Sequence, residues 1–362
     1  MPERHQQPVL FQNFPELQQN IPWIRLGDLP TATRKLDQLG YNNLWIKQDN
    51  LSSQIYGGNK IRKLEFALAD ALNQNKKHVV TMGGLGTNHG LATAIFTRKL
   101  GLSCTLLLFR QPITRDVKEK MLLFKRYDAR MKYRKTKLRA AIALYITERL
   151  EHPGAYFLYA GGSSPAGTIG FVNAAFELKS QIEKGILPEP AVIFCPVGSN
   201  GTLAGLHLGA SLAGMKSKTI GVRVSASHLG PIQICTPDSV RRLMQSTYRY
   251  LKKRCRSMPE IEVAAPLILN DYFGDGYGLP TEAGRNAYAQ AKNKAGLKLD
   301  LTYTAKTFAA VLDYCRDHPR ESEPVLYWHT FNSVDMSSEV HPAEVNKLPR
   351  IFKEIYQEKE EG

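Results

Sequence analysis

Residues 191–205 read AVIFCPVGSNGTLAG, and this stretch decides the fold class. Ala191 to Pro196 is a continuous apolar run of strand length, and small and apolar residues typical of a helix end the stretch. Between them lies the turn Gly198-Ser199-Asn200-Gly201-Thr202. A buried strand that passes through a glycine-rich turn into a helix is the unit of a parallel α/β sheet. Backbone N–H groups at such a turn, with nearby hydroxyls, suit a phosphate group.

The same alternation continues on both sides of this stretch. Leu64 to Leu72 and Phe171 to Leu178 carry apolar residues at helical spacing. Further apolar runs of strand length are Val79 to Met82, Cys104 to Phe109, Tyr156 to Ala160, Ile220 to Val224 and Val325 to Trp328. The pattern predicts an α/β protein with two open, twisted, mostly parallel sheets whose units meet near Gly161-Gly162-Ser163.

Composition fits a globular protein of two domains. The 362 residues are 43% hydrophobic and 22% charged. No apolar run approaches the roughly 18 residues that cross a bilayer, and no apolar segment follows a basic one at the N-terminus. The five cysteines are Cys104, Cys195, Cys235, Cys255 and Cys315. They lack the spacing of a metal site, so we expect buried free thiols and no bound metal. We therefore expect a cytoplasmic protein with no membrane contact.

The formal charge of +15 is concentrated in two basic runs. Residues 125–139 hold eight basic residues and one acid, and residues 241–256 hold seven basic residues and no acid. We expect two solvent-facing helix faces. The alternative is a surface for nucleic acid or an anionic membrane, but no DNA-binding motif accompanies either run.

Two further glycine-rich turns could carry chemistry. In Gly57-Gly58-Asn59-Lys60 the lysine falls at the first turn of a predicted helix, where the helix dipole favours a neutral amine, as Schiff-base chemistry requires. The alternative is an ordinary surface lysine. The turn from Gly83 to Gly90 resembles a dinucleotide-binding fingerprint, but the acidic residue that would hold the ribose does not follow the next strand. An NADP-dependent oxidoreductase is therefore a weak alternative hypothesis. Within this turn, Thr87, Asn88 and His89 either face a ligand or form a capped helix start.

Seven short motifs, in order, make the chain similar to a known family. It resembles the pyridoxal-phosphate enzymes of the 1-aminocyclopropane-1-carboxylate deaminase and D-cysteine desulfhydrase group from about Pro22 to Thr330. The motifs are Trp45-Ile46-Lys47-Gln48-Asp49, Gly57-Gly58-Asn59-Lys60 through Glu65, Thr87-Asn88-His89, Gly161-Gly162-Ser163, Gly198-Ser199-Asn200-Gly201-Thr202, Tyr277-Gly278-Leu279-Pro280 and Tyr303-Thr304-Ala305-Lys306.

The resemblance implies a tryptophan-synthase-β-like fold with pyridoxal 5′-phosphate in a cleft between two domains. Residues 1–54 and 166–362 would form the larger domain with the phosphate loop, and residues 55–165 the smaller. The resemblance implies that Lys60 forms the Schiff base with the cofactor. Asn88 would contact the 3′-oxygen and Thr304 the pyridine nitrogen. The phosphate would be held by Lys63, Gly198, Ser199, Asn200, Gly201 and Thr202. Thr87, Tyr277 and Tyr303 would border the substrate and act with Lys60 in catalysis.

Thr304 separates the two activities of the group. The deaminase pattern has Glu at this position and the desulfhydrase pattern has Thr. A carboxylate keeps the ring nitrogen protonated, whereas a neutral hydroxyl leaves it largely unprotonated, which suits β-elimination better than the opening of a cyclopropane ring. The expected function is a D-cysteine-desulfhydrase-type lyase acting on a small amino acid, as a homodimer. A 1-aminocyclopropane-1-carboxylate deaminase remains the alternative, and an altered enzyme or a nucleic-acid-binding protein is the second alternative.

The chain departs from the family pattern at five positions around the substrate. Gly86 replaces a Gln, Thr87 replaces a Ser and Ala305 replaces a Gly, while Phe331-Asn332 stands where the pattern has Gly-Gly. Cofactor binding is therefore better supported than the identity of the substrate.

Overall fold

The computed structural model describes residues 7–318 and 323–361. Their contacts divide the chain into two compact units. The larger unit consists of the described residues of Met1–Phe66 and Ser163–Val334, and the smaller unit of those of Ala67–Gly162 and Asp335–Gly362.

Strands and helices alternate along most of the described chain. The strands are β1 Thr33–Lys35, β2 Leu44–Lys47, β3 His78–Gly84, β4 Ser103–Phe109, β5 Arg130–Tyr133, β6 Tyr156–Phe157, β7 Val192–Val197, β8 Lys218–Arg223, β9 His228–Leu229, β10 Ile232–Gln233, β11 Leu267–Leu269 and β12 Val325–Trp328. The α-helices are α1 Val9–Asn13, α2 Pro15–Asn20, α3 Lys60–Asn73, α4 Asn88–Lys99, α5 Arg115–Arg126, α6 Lys137–Ile142, α7 Glu148–Glu151, α8 Pro165–Glu183, α9 Gly201–Leu212, α10 Pro237–Lys252, α11 Glu282–Ala295, α12 Thr304–Asp317 and α13 Arg350–Gln357. Ala143–Thr147 forms a short π-helix. Short 3₁₀ segments occupy Asp37–Leu39, Asp49–Leu51, Ala160–Gly162, Ser337–Glu339 and Pro342–Lys347.

A six-stranded sheet forms the centre of the larger unit. Its strand order is β1-β2-β12-β7-β8-β11, and all neighbours are parallel except β1 and β2. Every residue of β7 and β12 is buried, as the continuous apolar runs predict. Ile193 and Cys195 pack with residues of α8 and α9, while Phe194 packs with residues of α11 and α12. Helices therefore cover both faces of this sheet.

A four-stranded parallel sheet forms the smaller unit, in the order β5-β4-β3-β6. The carboxyl end of β3 leads directly into the turn that contains Thr87, and α4 follows. In the larger unit the carboxyl end of β7 leads in the same way into the Gly198 turn and α9. Ligands of open α/β sheets bind at the carboxyl ends of strands, so each sheet presents one glycine-rich turn in the expected place.

The six apolar runs predicted as strands are confirmed as β3, β4, β6, β7, β8 and β12, with ends displaced by up to three residues. The five cysteines are buried and free, as predicted. Within the described ranges, no helix combines the length and the apolar character that crossing a bilayer requires.

The prediction of a helix face for residues 125–139 is wrong. The run begins in the last turn of α5, forms β5 and ends in α6. Basic and non-basic residues alternate in β5, where Met131 is buried and Arg130 is exposed, so the charges follow the two-residue period of a strand. The second run, residues 241–256, is helical as predicted through the end of α10.

Candidate active site

Helix α3 begins at Lys60, immediately after the turn Gly57-Gly58-Asn59. Gly58 has a φ of 90°, which a residue with a side chain rarely adopts. The Asn59 amide Nδ2 donates a hydrogen bond to Thr202 Oγ1 over 3.0 Å. That bond ties the lysine turn to the Gly198–Thr202 turn at the start of α9.

The Lys60 amine has the electrostatics of a reactive lysine. Burial lowers the pKa of Lys60 from 10.5 to about 8, and the Asp300 carboxylate opposes that shift. Desolvation therefore has the effect that we expected of the helix dipole. Near neutral pH an amine with this pKa loses its proton far more readily than a surface lysine does.

A buried ionic cluster of Lys47, Asp49, Arg62 and Glu177 anchors the first turn of α3. Arg62 donates to both oxygens of Asp49, at 2.7 and 2.8 Å, and to Glu177 Oε2 at 2.8 Å. Lys47 Nζ lies 2.5 Å from Glu177 Oε1, and all four side chains are buried. Burial raises the pKa of Glu177, but Arg62 and Lys47 together hold it at about 2. Glu177 is therefore ionised at neutral pH, and the cluster fixes the helix that carries Lys60 and Lys63.

The Gly198–Thr202 turn has the geometry of an anion cradle. Asn200 takes a φ of 68°, which turns the chain sharply before the first residue of α9. The Ser163 hydroxyl donates to Ser199 Oγ over 3.0 Å and accepts the Gly201 N–H over 3.2 Å. Lys63 Nζ lies 3.5 Å from the same Ser163 oxygen. Hydroxyls, the start of a helix and one lysine amine thus meet at Gly201.

The cradle leaves no room for a side chain at Gly201. A Cβ at Gly201 would lie 2.7 Å from Ser163 Oγ and 2.9 Å from Lys63 Nζ. Burial lowers the pKa of Lys63 well below its ordinary value, and the neighbouring Lys60 adds to that shift. A bound dianion would reverse the shift by stabilising the ammonium form. The residues present therefore fit a phosphate group.

Two tyrosines extend the site from the phosphate cradle. A Cβ at Gly198 would lie 3.5 Å from Tyr303 Cε1, so the Tyr303 ring borders the turn. Its hydroxyl is hydrogen-bonded to the Tyr277 hydroxyl, and the two rings meet edge to face with centroids 5.9 Å apart. The larger unit thus places two phenol groups at one end of the cradle.

Thr304 is fully buried at the start of α12 and faces Asp300. Its hydroxyl donates to Asp300 Oδ2 over 2.7 Å and accepts the Asp300 N–H, also over 2.7 Å. The other oxygen, Asp300 Oδ1, accepts the N–H groups of Thr302 and Tyr303. Asp300 therefore caps this helix and holds the Thr304 side chain in one orientation.

The smaller unit contains the turn that precedes α4. The Thr87 hydroxyl accepts the Gly90 N–H over 3.1 Å and caps the helix. Thr81 Oγ1 donates to the Leu158 carbonyl, so His89 Nε2 is the donor to Thr81 over 3.0 Å. Asn88, the first residue of α4, is half-buried. Thr87 and His89 therefore match the capped helix start that the sequence left as an alternative.

The larger unit brings together most of the residues that the sequence singled out. These are Lys60, Lys63, Gly198, Ser199, Asn200, Gly201, Thr202, Tyr277, Tyr303 and Thr304. Thr87 and Asn88 belong to the smaller unit. Asp300 was not singled out from the sequence, Asn59 and Ser163 appeared only within motifs, and Asn332 appeared only as a departure from the family pattern around the substrate. Asn59, Ser163 and Asn332 show their roles only through partners distant in the chain, whereas Asp300 contacts residues two to four positions away.

Comparison with known proteins agrees with this geometry. The family model described as "Pyridoxal-phosphate dependent enzyme" matches residues 24–330. The chain belongs to this family. It is a pyridoxal-phosphate dependent enzyme, and the predicted cofactor and tryptophan-synthase-β-like fold are confirmed.

Two curated relatives and one solved structure show the same subgroup. The chain is 31% identical to a D-cysteine desulfhydrase of Serratia proteamaculans, over 83% of this chain and 90% of the relative. It is 30% identical to a putative 1-aminocyclopropane-1-carboxylate deaminase of Pyrococcus abyssi, over 89% of this chain and 93% of the relative. A crystal structure of an ACC deaminase homologue has a TM-score of 0.75 at 28% identity and covers 91% of this chain and 96% of its own. The resemblance inferred from the motifs is confirmed.

Proposed function

We propose that this enzyme is a lyase that eliminates the β-leaving group of a small D-amino acid, with D-cysteine as the preferred substrate. The net reaction converts D-cysteine and water into pyruvate, ammonia and hydrogen sulfide. The observation that carries the proposal is Thr304, a buried neutral hydroxyl where the deaminase pattern has a carboxylate. The similarity to a D-cysteine desulfhydrase supports the same reaction.

Pyridoxal 5′-phosphate, when bound, supplies an aldehyde that links to a lysine amine and a ring that stabilises negative charge at the substrate Cα. In this chain Lys60 is the lysine that we assign to that linkage. With a pKa of about 8, its Nζ also has the basicity to accept the Cα proton and return it near neutral pH. Asp300 maintains this range by opposing the effect of burial.

The contacts of the larger unit support the binding roles that we propose for its residues. Gly198, Ser199, Asn200, Gly201 and Thr202 would hold the phosphate with backbone N–H groups and hydroxyls, and Lys63 would add a positive charge. Thr304 would place a neutral hydroxyl, rather than a carboxylate, beside the pyridine nitrogen. Tyr277 and Tyr303 would border the substrate.

The smaller unit would supply two side chains. Asn88 would hydrogen-bond the 3′-oxygen of the ring, and Thr87 would face the substrate. The Thr87 oxygen already accepts the Gly90 N–H, and among the described residues its proton has no acceptor. That proton is therefore available to a substrate carboxylate.

The test is the ratio of two specificity constants in the unmodified protein loaded with cofactor. D-cysteine or β-chloro-D-alanine should yield pyruvate with a kcat/KM at least a hundredfold above that for 2-oxobutyrate formation from 1-aminocyclopropane-1-carboxylate. Both enantiomers of cysteine are assayed. Lys60→Ala should abolish turnover, and Lys99→Ala, at an exposed lysine of α4, should not change it. A ratio that favours the cyclopropane substrate would assign deaminase activity instead.

The cellular setting and assembly belong to the same proposal. Five buried free cysteines support a reducing, cytoplasmic location. We propose a homodimer, the commonest assembly of soluble oligomers. Light scattering on the purified protein should give twice the mass of one chain, and the mass of a single chain would contradict the dimer.

A further inference from the structure

We propose that Asn332 is a positioning residue for Lys60, because its side-chain oxygen fixes the glycine turn that presents the lysine amine. This inference rests on the proposed role of Lys60 in cofactor attachment. Asn332 lies in the segment that leaves β12, and its side chain is 8% exposed. It does not belong to the phosphate cradle or to the tyrosine pair.

Each backbone N–H group of the Gly57-Gly58-Asn59 turn has a definite acceptor. The Gly58 N–H donates to the Asp49 carbonyl over 2.8 Å, and the Asn59 N–H donates to the Thr330 carbonyl over 3.0 Å. The Gly57 N–H donates to Asn332 Oδ1 over 2.7 Å. Of these three acceptors, Asn332 is the side chain, and its contribution is therefore the one that a substitution removes.

Neighbouring backbone leaves no room for a side chain at either glycine of the turn. A Cβ at Gly57 would lie 2.3 Å from the Asn50 carbonyl oxygen, and one at Gly58 would lie 2.8 Å from the Thr330 carbonyl oxygen. Both positions therefore require glycine, the residue with the greatest backbone freedom. External hydrogen bonds must limit that freedom, and the position of Lys60 depends on them.

Asn332 is itself held rigidly. Its Oδ1 also accepts the Val334 N–H over 3.1 Å, and its Nδ2 donates to the Val334 carbonyl over 3.1 Å. The next residue, Ser333, donates its N–H to the Asn50 carbonyl and accepts a bond from Asn50 Nδ2 at 2.9 Å. The segment after β12 is thus bonded to the segment before α3 at several points, and Asn332 Oδ1 is the side-chain acceptor among the contacts that hold the glycine turn.

Three variants separate positioning from general stability. Asn332→Ala removes the oxygen that accepts the Gly57 N–H. Asn332→Asp retains a side-chain oxygen that can accept the Gly57 N–H, on a side chain of the same length, and loses the Nδ2 donation to the Val334 carbonyl. Ser333→Ala is the matched control, because it removes a hydrogen bond of the same segment without touching the glycine turn.

The first readouts need no cofactor. In Asn332→Ala the Gly57 amide should exchange with solvent roughly tenfold faster, while Asn332→Asp and Ser333→Ala retain its protection. Acetylation of Lys60 across a pH series, followed by mass spectrometry, should show its apparent pKa rising towards 10.5 in Asn332→Ala compared with Ser333→Ala. An unchanged Lys60 titration in Asn332→Ala would overturn the proposal, because Asn332 would then support the turn without affecting the lysine.

The second readout uses two forms of the cofactor. The covalent attachment of pyridoxal 5′-phosphate, followed by its visible absorbance, should slow roughly five- to tenfold in Asn332→Ala and stay within about twofold in the other variants. Affinity for pyridoxamine 5′-phosphate, which cannot link to a lysine, should remain unchanged. Equal attachment rates in Asn332→Ala and Ser333→Ala would contradict positioning. If the unmodified protein bound neither form, the proposed function would fail, while the exchange and acetylation results would still decide the role of Asn332.

Discussion

Gly201 provides the most direct residue-scale test of the phosphate cradle. Asp at this position would place a Cβ against Ser163 Oγ and Lys63 Nζ and a carboxylate where the phosphate is expected. Repulsion between two anions in a partly desolvated site should lower cofactor affinity at least a hundredfold. A spectral titration with pyridoxal 5′-phosphate measures it. Gly154→Asp, where a side chain meets open space, is the control for the added charge. Unchanged affinity in Gly201→Asp would place the phosphate elsewhere.

Lys60 predicts a specific dependence of stability on pH in the protein without cofactor. Its pKa is about 8 in the folded state, against 10.5 when the chain is unfolded. Below pH 8 both states are protonated, and the folded state carries the full cost of a desolvated ammonium group. Between pH 8 and 10.5 the unfolded chain binds more protons, so this cost disappears as the pH rises.

Lys60→Met should therefore raise the free energy of unfolding by roughly 1–2 kcal/mol at pH 7, after allowance for partial solvation. The gain should vanish near pH 10.5. Urea unfolding at the two pH values measures it, with Lys99→Met as the exposed control. A gain that is equal at both pH values would show that packing, rather than desolvation of the charge, distinguishes Lys60.

The sequence reveals the residues whose role depends on local turn chemistry. Lys60 and Gly201 stand out because a glycine-rich turn before a helix can be recognised from a few consecutive residues of the sequence. Asp300 does not stand out, and Asn332 stands out only as a departure from the family pattern, because an Asp or Asn in a loop has many possible partners. Their roles depend on folding contacts with Thr304 and Gly57, and one sequence does not show these contacts.

The N-terminal half of α3 depends on the ionic cluster around Arg62. Removing the guanidinium leaves Asp49 and Glu177 buried with Lys47 as the remaining cation of the cluster. Arg62→Met should therefore lower the free energy of unfolding by about 3–5 kcal/mol. Arg98→Met breaks an ion pair with Asp128 in which both partners are more than half exposed, and it should cost less than about 1 kcal/mol. Equal losses in urea unfolding would mean that the buried cluster does not anchor the helix.

Elements with continuous apolar sequence were predictable, and short polar strands were not. β7 and β12 follow from their composition alone. β2 contains Lys47, whose burial is possible through its contact with Glu177, a residue 130 positions away. β5 lies within a basic run, where the charges conceal the two-residue period. Long-range pairing, rather than local propensity, decides such strands.

At the scale of the molecule, the excess of positive charge predicts weak and unspecific binding of polyanions. Arg242, Arg249 and Arg256 are exposed at or just beyond α10. We expect duplex DNA to bind weakly at low salt and to lose its affinity steeply as salt rises, because phosphate contacts release counterions. A filter-binding or anisotropy titration at two salt concentrations measures it. Sequence-selective binding at physiological salt would support the alternative of a nucleic-acid-binding protein.

The functional domain boundaries near residues 55 and 165 stay a prediction, since they derive from the family resemblance. The sequence locates the strands along the chain better than it locates the domain boundaries. Apolar runs mark the strands, whereas no Pro- or Ser-rich linker marks a junction between domains.

The most direct test of the central claim is the identity of the lysine that binds the cofactor. The protein is saturated with pyridoxal 5′-phosphate, reduced with borohydride, digested and analysed by mass spectrometry. We expect a phosphopyridoxyl group on Lys60, the loss of this label in Lys60→Ala and an unchanged label in Lys99→Ala. A stable label on Lys63 or any other lysine in the unmodified protein, or no label at saturation, would contradict the assignment of Lys60.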